Sequence, residues 1–399
     1  MKILLVHNSY RQPGGEDVVF KQERQLLERA GHEVVTYELS NWEIDSYSGL
    51  KRVALVRRTI WADEALRDAA KLIQRHKPEV AHVHNTFMRI SPSVYRACRD
   101  ASVPVVQTLH NYRLLCPAGN FFRDGQVCKE CVVHSLWRSV RYGCYRDSRG
   151  ATAAVALMLS VHRLLHTWTE QVDQYLALSN FAREEFVRGG LPGDRISIKP
   201  NFVYPDPGVS EGTGEHAVFV GRLSGEKGLS TMLDAWQRLR PGPPCQILGD
   251  GPLRSQLQAQ GAESGLSSLV FRGHLAPDEV RSFIKTARFL ILPSECYENF
   301  PMSIVEAFAC GVPVICSRLG AMQEIVADGR TGLLFEPGKA EDLAEKVDWA
   351  WNHPERMVEM GKEARQEYET KYTAEKNYPL LMEIYQHAIC SSKGSGVGD

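Results

Sequence analysis

The segment Gly221-Arg222-Leu223-Ser224-Gly225-Glu226-Lys227-Gly228 puts a planar guanidinium and a mobile ammonium within a six-residue window. It lies between an apolar run ending at Val220 and a helical pattern starting near Leu229. Two cations at a glycine-rich strand-to-helix turn suit a diphosphate, because Arg offers a fork of donors and Lys a flexible point charge. The Gly-x4-Gly-Lys-Ser/Thr order of a Walker loop is absent. Taken alone, the segment reads as readily as a turn with surface charges. Downstream, Glu298 and Glu306 stand eight positions apart around Pro301, a residue that suits a first helical turn. Glu298 then falls in a loop and Glu306 about one turn inside a helix. Amides near Phe300–Ser303 would form an anion site at that helix start. A carboxylate there can accept two hydroxyls of a ribose or hexose. Spacing alone favours two solvated acids.

The cysteines follow a separate logic. Cys116, Cys128, Cys131 and Cys144 run Cys-x11-Cys-x2-Cys-x12-Cys within 29 residues. Cys-x2-Cys lets two thiolates meet one tetrahedral zinc. The polar, glycine-containing loop around them is poor in core-forming residues, where a metal staple helps. The spacing predicts a structural zinc in an insert over about residues 112–147; four reduced thiols, or two oxidised pairs, fit the same pattern. The remaining six cysteines lack such spacing and read as small buried hydrophobes. His7, His82, His84 and His110 sit at the ends of apolar runs. A strand-end histidine is more often packed than catalytic.

Elements must position these groups. The chain has 399 residues, beyond the ~250–300 at which a single core stops growing. Short apolar runs alternate with helical patterns, which argues for parallel, doubly wound sheets. In the first half the runs are Lys2–His7, Glu33–Leu39, Val80–Val83, Val103–Leu109, Tyr175–Leu178 and Ile196–Ile198. Residues 50–76 read as one basic, amphipathic helix. A Pro- and Gly-rich stretch from Lys199 to Gly214 reads as a linker. The alternation then restarts with Ala217–Val220, Gln246–Leu248, Val270–Phe271, Phe289–Leu292, Val314–Cys316 and Leu333–Phe335. The fold class is α/β, with two Rossmann-like domains and an expected nucleotide cleft at their strand ends. The expected domains are 1–203, 204–375 and a C-terminal stretch 376–399, a helix crossing back to the first domain and then a frayed polar tail. Composition is ordinary and net charge is −1, so nothing points to nucleic acid. Residues 51–150 nevertheless carry net +10. No apolar run approaches the ~20 residues of a membrane span.

The motifs occur in a fixed order: Gly-Arg-Leu-x-x-Glu-Lys-Gly, Gly249-Asp250-Gly251-Pro252, Glu298-x7-Glu306, Gly311-Val312-Pro313-Val314, Gly320-x3-Glu324 and Gly332-Leu333-Leu334. With Gly14-Gly15 at the first helix, Pro78–His84 and Thr108-Leu109-His110, the series strongly resembles the family 4 nucleotide-sugar glycosyltransferases, which have the GT-B fold. The resemblance spans roughly residues 1–385. It implies that Arg222 and Lys227 bind the donor diphosphate and Glu306 the ribose. It further implies that Glu298, with the amides of Asn299, Phe300, Pro301 and Met302, holds the transferred sugar. Gly14 and Gly15 would approach the distal phosphate, and His110 would meet the donor sugar from the opposite domain. Such enzymes resemble retaining transferases that need no metal for catalysis. No Asp-x-Asp pair is present in this sequence. The Cys-rich insert is similar to that of a bacterial subgroup.

The resemblance implies transfer of a hexose-type sugar from a nucleoside diphosphate, a UDP-sugar by family frequency, to an acceptor hydroxyl in bacterial glycan or glycolipid assembly. Arg138, Arg141, Arg146 and Arg149 interleave with Trp137, Tyr142 and Tyr145. That pattern suits peripheral contact with an anionic membrane and a lipid-linked acceptor, or else a solvated basic face. The expected location is the cytoplasm, at the inner membrane face. Two rival readings remain open here: a nucleotide-sugar epimerase on the same fold, and a zinc-stapled binding module without catalysis.

Overall fold

A computed structural model describes residues 1–10, 14–42, 50–210, 212 and 214–394. The chain divides into two compact units. The first comprises Met1–Asn120, Lys129–Asn201 and Asn377–Asp399; the second comprises Phe121–Cys128 and Phe202–Lys376. The strands in chain order are β1 (Lys2–Ser9), β2 (Glu33–Ser40), β3 (Val80–Asn85), β4 (Val105–Thr108), β5 (Phe122–Arg123), β6 (Gln126–Val127), β7 (Gln174–Ala177) and β8 (Ile196–Ile198). They continue with β9 (His216–Val220), β10 (Cys245–Leu248), β11 (Leu269–Gly273), β12 (Ala287–Leu292), β13 (Val314–Ser317) and β14 (Gly332–Phe335).

The first unit holds a six-stranded parallel sheet, ordered β2-β1-β3-β4-β7-β8. β3 is buried along its whole length, as a strand covered on both faces must be. One face packs against the helices Gly15–Arg29 and Ala374–Gly394, with Phe20, Leu27, Leu381 and Tyr385 closing the core on Ile3, Leu5 and Val106. The stretch 50–76 is two helices, Leu50–Ile60 and Asp63–His76, rather than the one expected. Ala62 is extended, and its N–H donates to Ser91 Oγ at 2.9 Å, an alternative to a helical bond that lets the chain break there. At the other end, the helix runs through Ser391 to Gly394, where a frayed tail was expected; residues 395–399 lie outside the described residues.

The second unit holds a parallel sheet ordered β11-β10-β9-β12-β13-β14, with a small antiparallel hairpin, β5–β6. In each large sheet the chain winds outward in one direction, then restarts on the other side of its first strand. Loops diverge at such a switch point and leave a crevice at the carboxyl ends of the strands. In the first unit the switch lies between β1 and β3, at His7-Asn8 and His84-Asn85. In the second it lies between β9 and β12, at the loops that follow Val220 and Leu292.

Candidate active site

In the second unit, the two loops singled out by their chemistry meet at the switch point. The Glu295 N–H donates to the Glu226 carbonyl at 2.9 Å. Gly228 takes φ +68, and a Cβ there would lie 1.8 Å from the Pro293 carbonyl oxygen, so only glycine lets the loops approach. Gly249 does the same for the neighbouring turn, where a Cβ would lie 1.9 Å from the Gly221 oxygen. The result is a pair: Lys227 Nζ stands 2.6 Å from Glu298 Oε1, and Ser294 Oγ donates to the same oxygen at 2.6 Å. Burial works against the Lys227 ammonium, yet Glu298 outweighs it and holds the lysine charged well above its ordinary range. Pro301 caps the helix Met302–Ala309, so its first amides point toward the loop; Asn299 is buried beside them. Glu306 lies on that helix, half-buried; burial pushes its carboxyl up, with Arg281 pulling against it. Arg222 is exposed.

The first unit places Gly14 and Gly15 at the start of the helix Gly15–Arg29. Asp17 ties that turn down. One oxygen accepts from the Gly14 N–H at 2.7 Å and the other contacts His7 Nε2 at 2.9 Å. Glu16 reaches the switch point, where it accepts from Asn85 Nδ2 at 2.8 Å and Asn111 Nδ2 at 3.2 Å. Part of its surface meets solvent, but desolvation of the carboxyl, and then Asp17, push it up to about 8. His110 lies two residues past the end of β4. Its Nε2 is 2.9 Å from His84 Nδ1, with the rings stacked at 5.1 Å. A small crevice of about 50 Å³ opens beside them, with His84, His110, Asn111, Arg113, Met158 and Trp168 in its lining. Such a mixture of an apolar wall and convergent polar groups is the ordinary make-up of a small-molecule site.

Behind His110 lies a buried polar chain that the spacing of residues did not announce. β3 turns His82 and His84 to the same face, since side chains two apart share a side. Glu23, on the helix covering that face, meets Lys199 Nζ at 3.0 Å through Oε2, and all four side chains are at most 3% exposed. Lys199 also donates to Asn377 Oδ1 at 2.9 Å. His82 contacts Tyr385 Oη at 2.7 Å and Thr108 Oγ1 at 2.8 Å. Burial pushes the Glu23 carboxyl up, but Lys199 and then His82 outweigh it and hold it well below the ordinary range. One signal was available: Glu23 falls on the buried stripe Val19, Phe20, Leu27 of its helix, where an acid needs a partner. Nothing in the sequence marked Lys199 as that partner.

Among the described residues, the one group of three or more His, Cys, Asp or Glu with ligand atoms within 4.8 Å is Glu23, His82 and His84. The Lys199 ammonium already supplies the cation there, and both His82 nitrogens have hydrogen-bond partners, so the set does not fit a metal ion. Cys116, Cys128, Cys131 and Cys144 form no such group. Cys131 lies in the short helix Glu130–Val133 and Cys144 just after Arg138–Tyr142, while Cys128 follows the hairpin that belongs to the second unit. As placed, the four thiols do not fit a tetrahedral zinc.

Two doubly wound sheets of this order, with a charged glycine loop at a switch point, define the GT-B class of glycosyltransferase folds. Anabaena Alr3699/HepE, solved in complex with UDP, superposes with a TM-score of 0.65 at 18% identity, covering 97% of this chain and 100% of that one. The family model "Glycosyl transferases group 1" matches residues 205–367, and "Glycosyltransferase Family 4" matches residues 13–206. The Bacillus subtilis protein described as putative teichuronic acid biosynthesis glycosyltransferase TuaC is 30% identical over 345 residues, 82% of this chain and 76% of its own length. The chain belongs to the family 4 glycosyltransferases. The uncharacterized glycosyltransferase MJ1178 of Methanocaldococcus jannaschii is 33% identical over 218 residues, 55% of this chain. The chain spans 60% of that relative's length, and 41% and 54% of two others.

Proposed function

We propose that this protein transfers a hexose-type sugar, with retention, from a uridine diphosphate sugar to an acceptor hydroxyl. The Lys227–Glu298 pair is the observation that carries this reading. It sets a cation and a carboxylate side by side at a helix start. In use, Lys227 and Arg222 take the diphosphate, Glu298 takes hydroxyls of the sugar, and Glu306 takes the ribose. Charge growing on the leaving phosphate is balanced by fixed cations. UDP in the Anabaena neighbour supports the choice of base. His110 acts on the transferred sugar, and the crevice beside it receives the acceptor. A panel of nucleoside diphosphate sugars tests the donor. At a hundred times Kd the right one stabilises the fold by ~2.7 kcal/mol in a thermal-shift assay. Turnover of donor without acceptor into an isomeric sugar would replace transfer by epimerisation, and an inverted anomer in the product would refute retention.

The acceptor side carries a surface reading. Trp137 and Tyr142 are exposed beside Arg138 and Arg141 on the short helix Arg138–Tyr142, while Tyr145 turns inward against Phe87. Among the described residues no helix is long and apolar enough to cross a membrane. We read this patch as peripheral contact with anionic lipid, each basic group adding about 1 kcal/mol. Arg138→Glu with Arg141→Glu should abolish sedimentation with anionic vesicles at low salt. Wild-type protein that stays in the supernatant rejects the membrane reading.

A further inference from the structure

The proton arrangement on His110 is legible from the buried chain behind it. Glu23 Oε1 and His84 Nε2 face each other at 3.6 Å, and each is buried without a hydrogen-bond partner. His82 Nδ1 comes within 2.9 Å of the same oxygen, but its bond is directed to Tyr385. Glu23 is ionised, held so by Lys199 at 3.0 Å, so Oε1 can only accept. Were His84 Nε2 bare, two lone pairs would confront each other in a dry interior. A proton on His84 Nε2 turns that repulsion into an attraction that a small side-chain adjustment completes. A neutral imidazole carries one N–H, so His84 Nδ1 is then the acceptor. The 2.9 Å contact between His84 Nδ1 and His110 Nε2 requires a hydrogen, which must come from His110. Both rings are neutral. Burial and then His82 push His84 down to about 3, and burial and then His84 push His110 well below its ordinary range.

We propose that Glu23, acting through His84, is a positioning residue that fixes His110 as its Nε2–H tautomer and leaves His110 Nδ1 as a hydrogen-bond acceptor for a hydroxyl of the transferred sugar. This rests on the reading that His110 meets that sugar. It adds a direction: His110 accepts from a sugar O–H and cannot donate to an oxyanion through Nδ1. Lys199 holds Glu23 ionised, and helix Ala374–Gly394 locks Lys199 through Asn377, so residues far apart in sequence set one proton.

The test is a ring-nitrogen NMR spectrum of the full chain labelled with ¹⁵N-histidine, with His110 assigned by its loss in His110→Asn. The expected spectrum shows His110 protonated at Nε2 and bare at Nδ1, unchanged from pH 5 to 8. A His110 protonated at Nδ1 overturns the proposal, whatever the variants do. Glu23→Gln, made with Lys199→Met so that no charge is stranded, should mix the His110 tautomers. It should lower kcat on the order of tenfold or more, as a misplaced histidine proton does, while UDP affinity stays unchanged. A wild-type tautomer in that variant would show that Glu23 does not set it, and likewise overturns the proposal. Full activity in His110→Asn would instead sink the sugar contact and leave the tautomer result standing, so the two failures are distinguishable.

Discussion

Each unit holds a lysine–glutamate pair, and the two pairs are built to opposite ends. Lys199 and Glu23 keep 1% of their side chains exposed, and Asn377, His82 and His84 crowd around them. Lys227 and Glu298 keep 21% and 13%, with Ser294 as the additional donor to the shared oxygen. A fully buried pair cannot open without stranding a charge in a medium that solvates it poorly. A partly wetted pair can exchange one anion for another at small cost, because its ions were never wholly desolvated. The first pair is therefore scaffold. In the second, the carboxylate occupies the lysine that the proposed function assigns to a donor phosphate.

Removing one lysine from each pair is the sharpest way to break that comparison. Lys199→Met takes away the cation that holds Glu23 ionised and leaves a buried acid without its partner, and should lower unfolding stability by ~3–5 kcal/mol in urea. Lys227→Met leaves Glu298 within reach of water and of Ser294, and should cost no more than ~1 kcal/mol. Equal losses in the two variants would end the distinction between scaffold and exchangeable pair.

Turnover should rank the same two positions the other way. With stability near wild type, Lys227→Met should lose ~10²–10³ in kcat, the usual cost of one fixed group that stabilises developing charge. Nucleotide affinity should fall far less, since that charge grows only as the bond breaks. Equal losses in affinity and kcat would make Lys227 a ground-state phosphate contact.

The same contrast explains what could be read from sequence. The second unit's loops are contiguous motifs, so Arg222, Lys227, Glu298 and Glu306 could be singled out from the chain, although their roles come only from the family resemblance that the order of the motifs carries. Its strands could be placed within a residue or two, because each is a short apolar run bounded by Gly or Pro. The buried chain of the first unit is assembled from helix Gly15–Arg29, β3, the end of β8 and the C-terminal helix, and Glu23 and Lys199 are 176 positions apart. No local pattern encodes such a pairing. The break at Trp61-Ala62 was hidden because both flanks are good helix formers, and the extended Ala62 is held by Ser91, a remote residue. The cysteine spacing is a third case. Cys-x2-Cys is a local signal, but whether thiols converge depends on where a hairpin and two short helices lie.

A pH dependence separates the first unit's two acids. Glu16 and Glu23 lie on one helix, yet burial and Asp17 push Glu16 up to about 8, whereas Lys199 and His82 hold Glu23 well below its ordinary range. For Glu16, the unfolded chain releases its proton near its ordinary value of 4.5 while the folded chain keeps it until about 8. Over that window the folded state binds more protons, so stability falls as pH rises, and levels off above it. Glu23 has the opposite sign. Its folded form is ionised where the unfolded form is protonated, so its contribution is present above the ordinary carboxylate range and lost as pH falls below it. His84 acts in the same sense as Glu23. Its folded value near 3 lies below the ordinary 6.5, so stability falls as pH drops from 6.5 toward 3. Glu16→Gln removes only the first of these dependences. The variant's stability relative to wild type, measured by urea denaturation at each pH, should therefore rise from pH 5 to pH 8 and leave the acid limb unaltered. A difference that stays flat across that window would mean that Glu16 titrates as an ordinary surface acid. A difference confined to the acid limb would mean that Asn85 and Asn111 stabilise its ionised form more than burial opposes it.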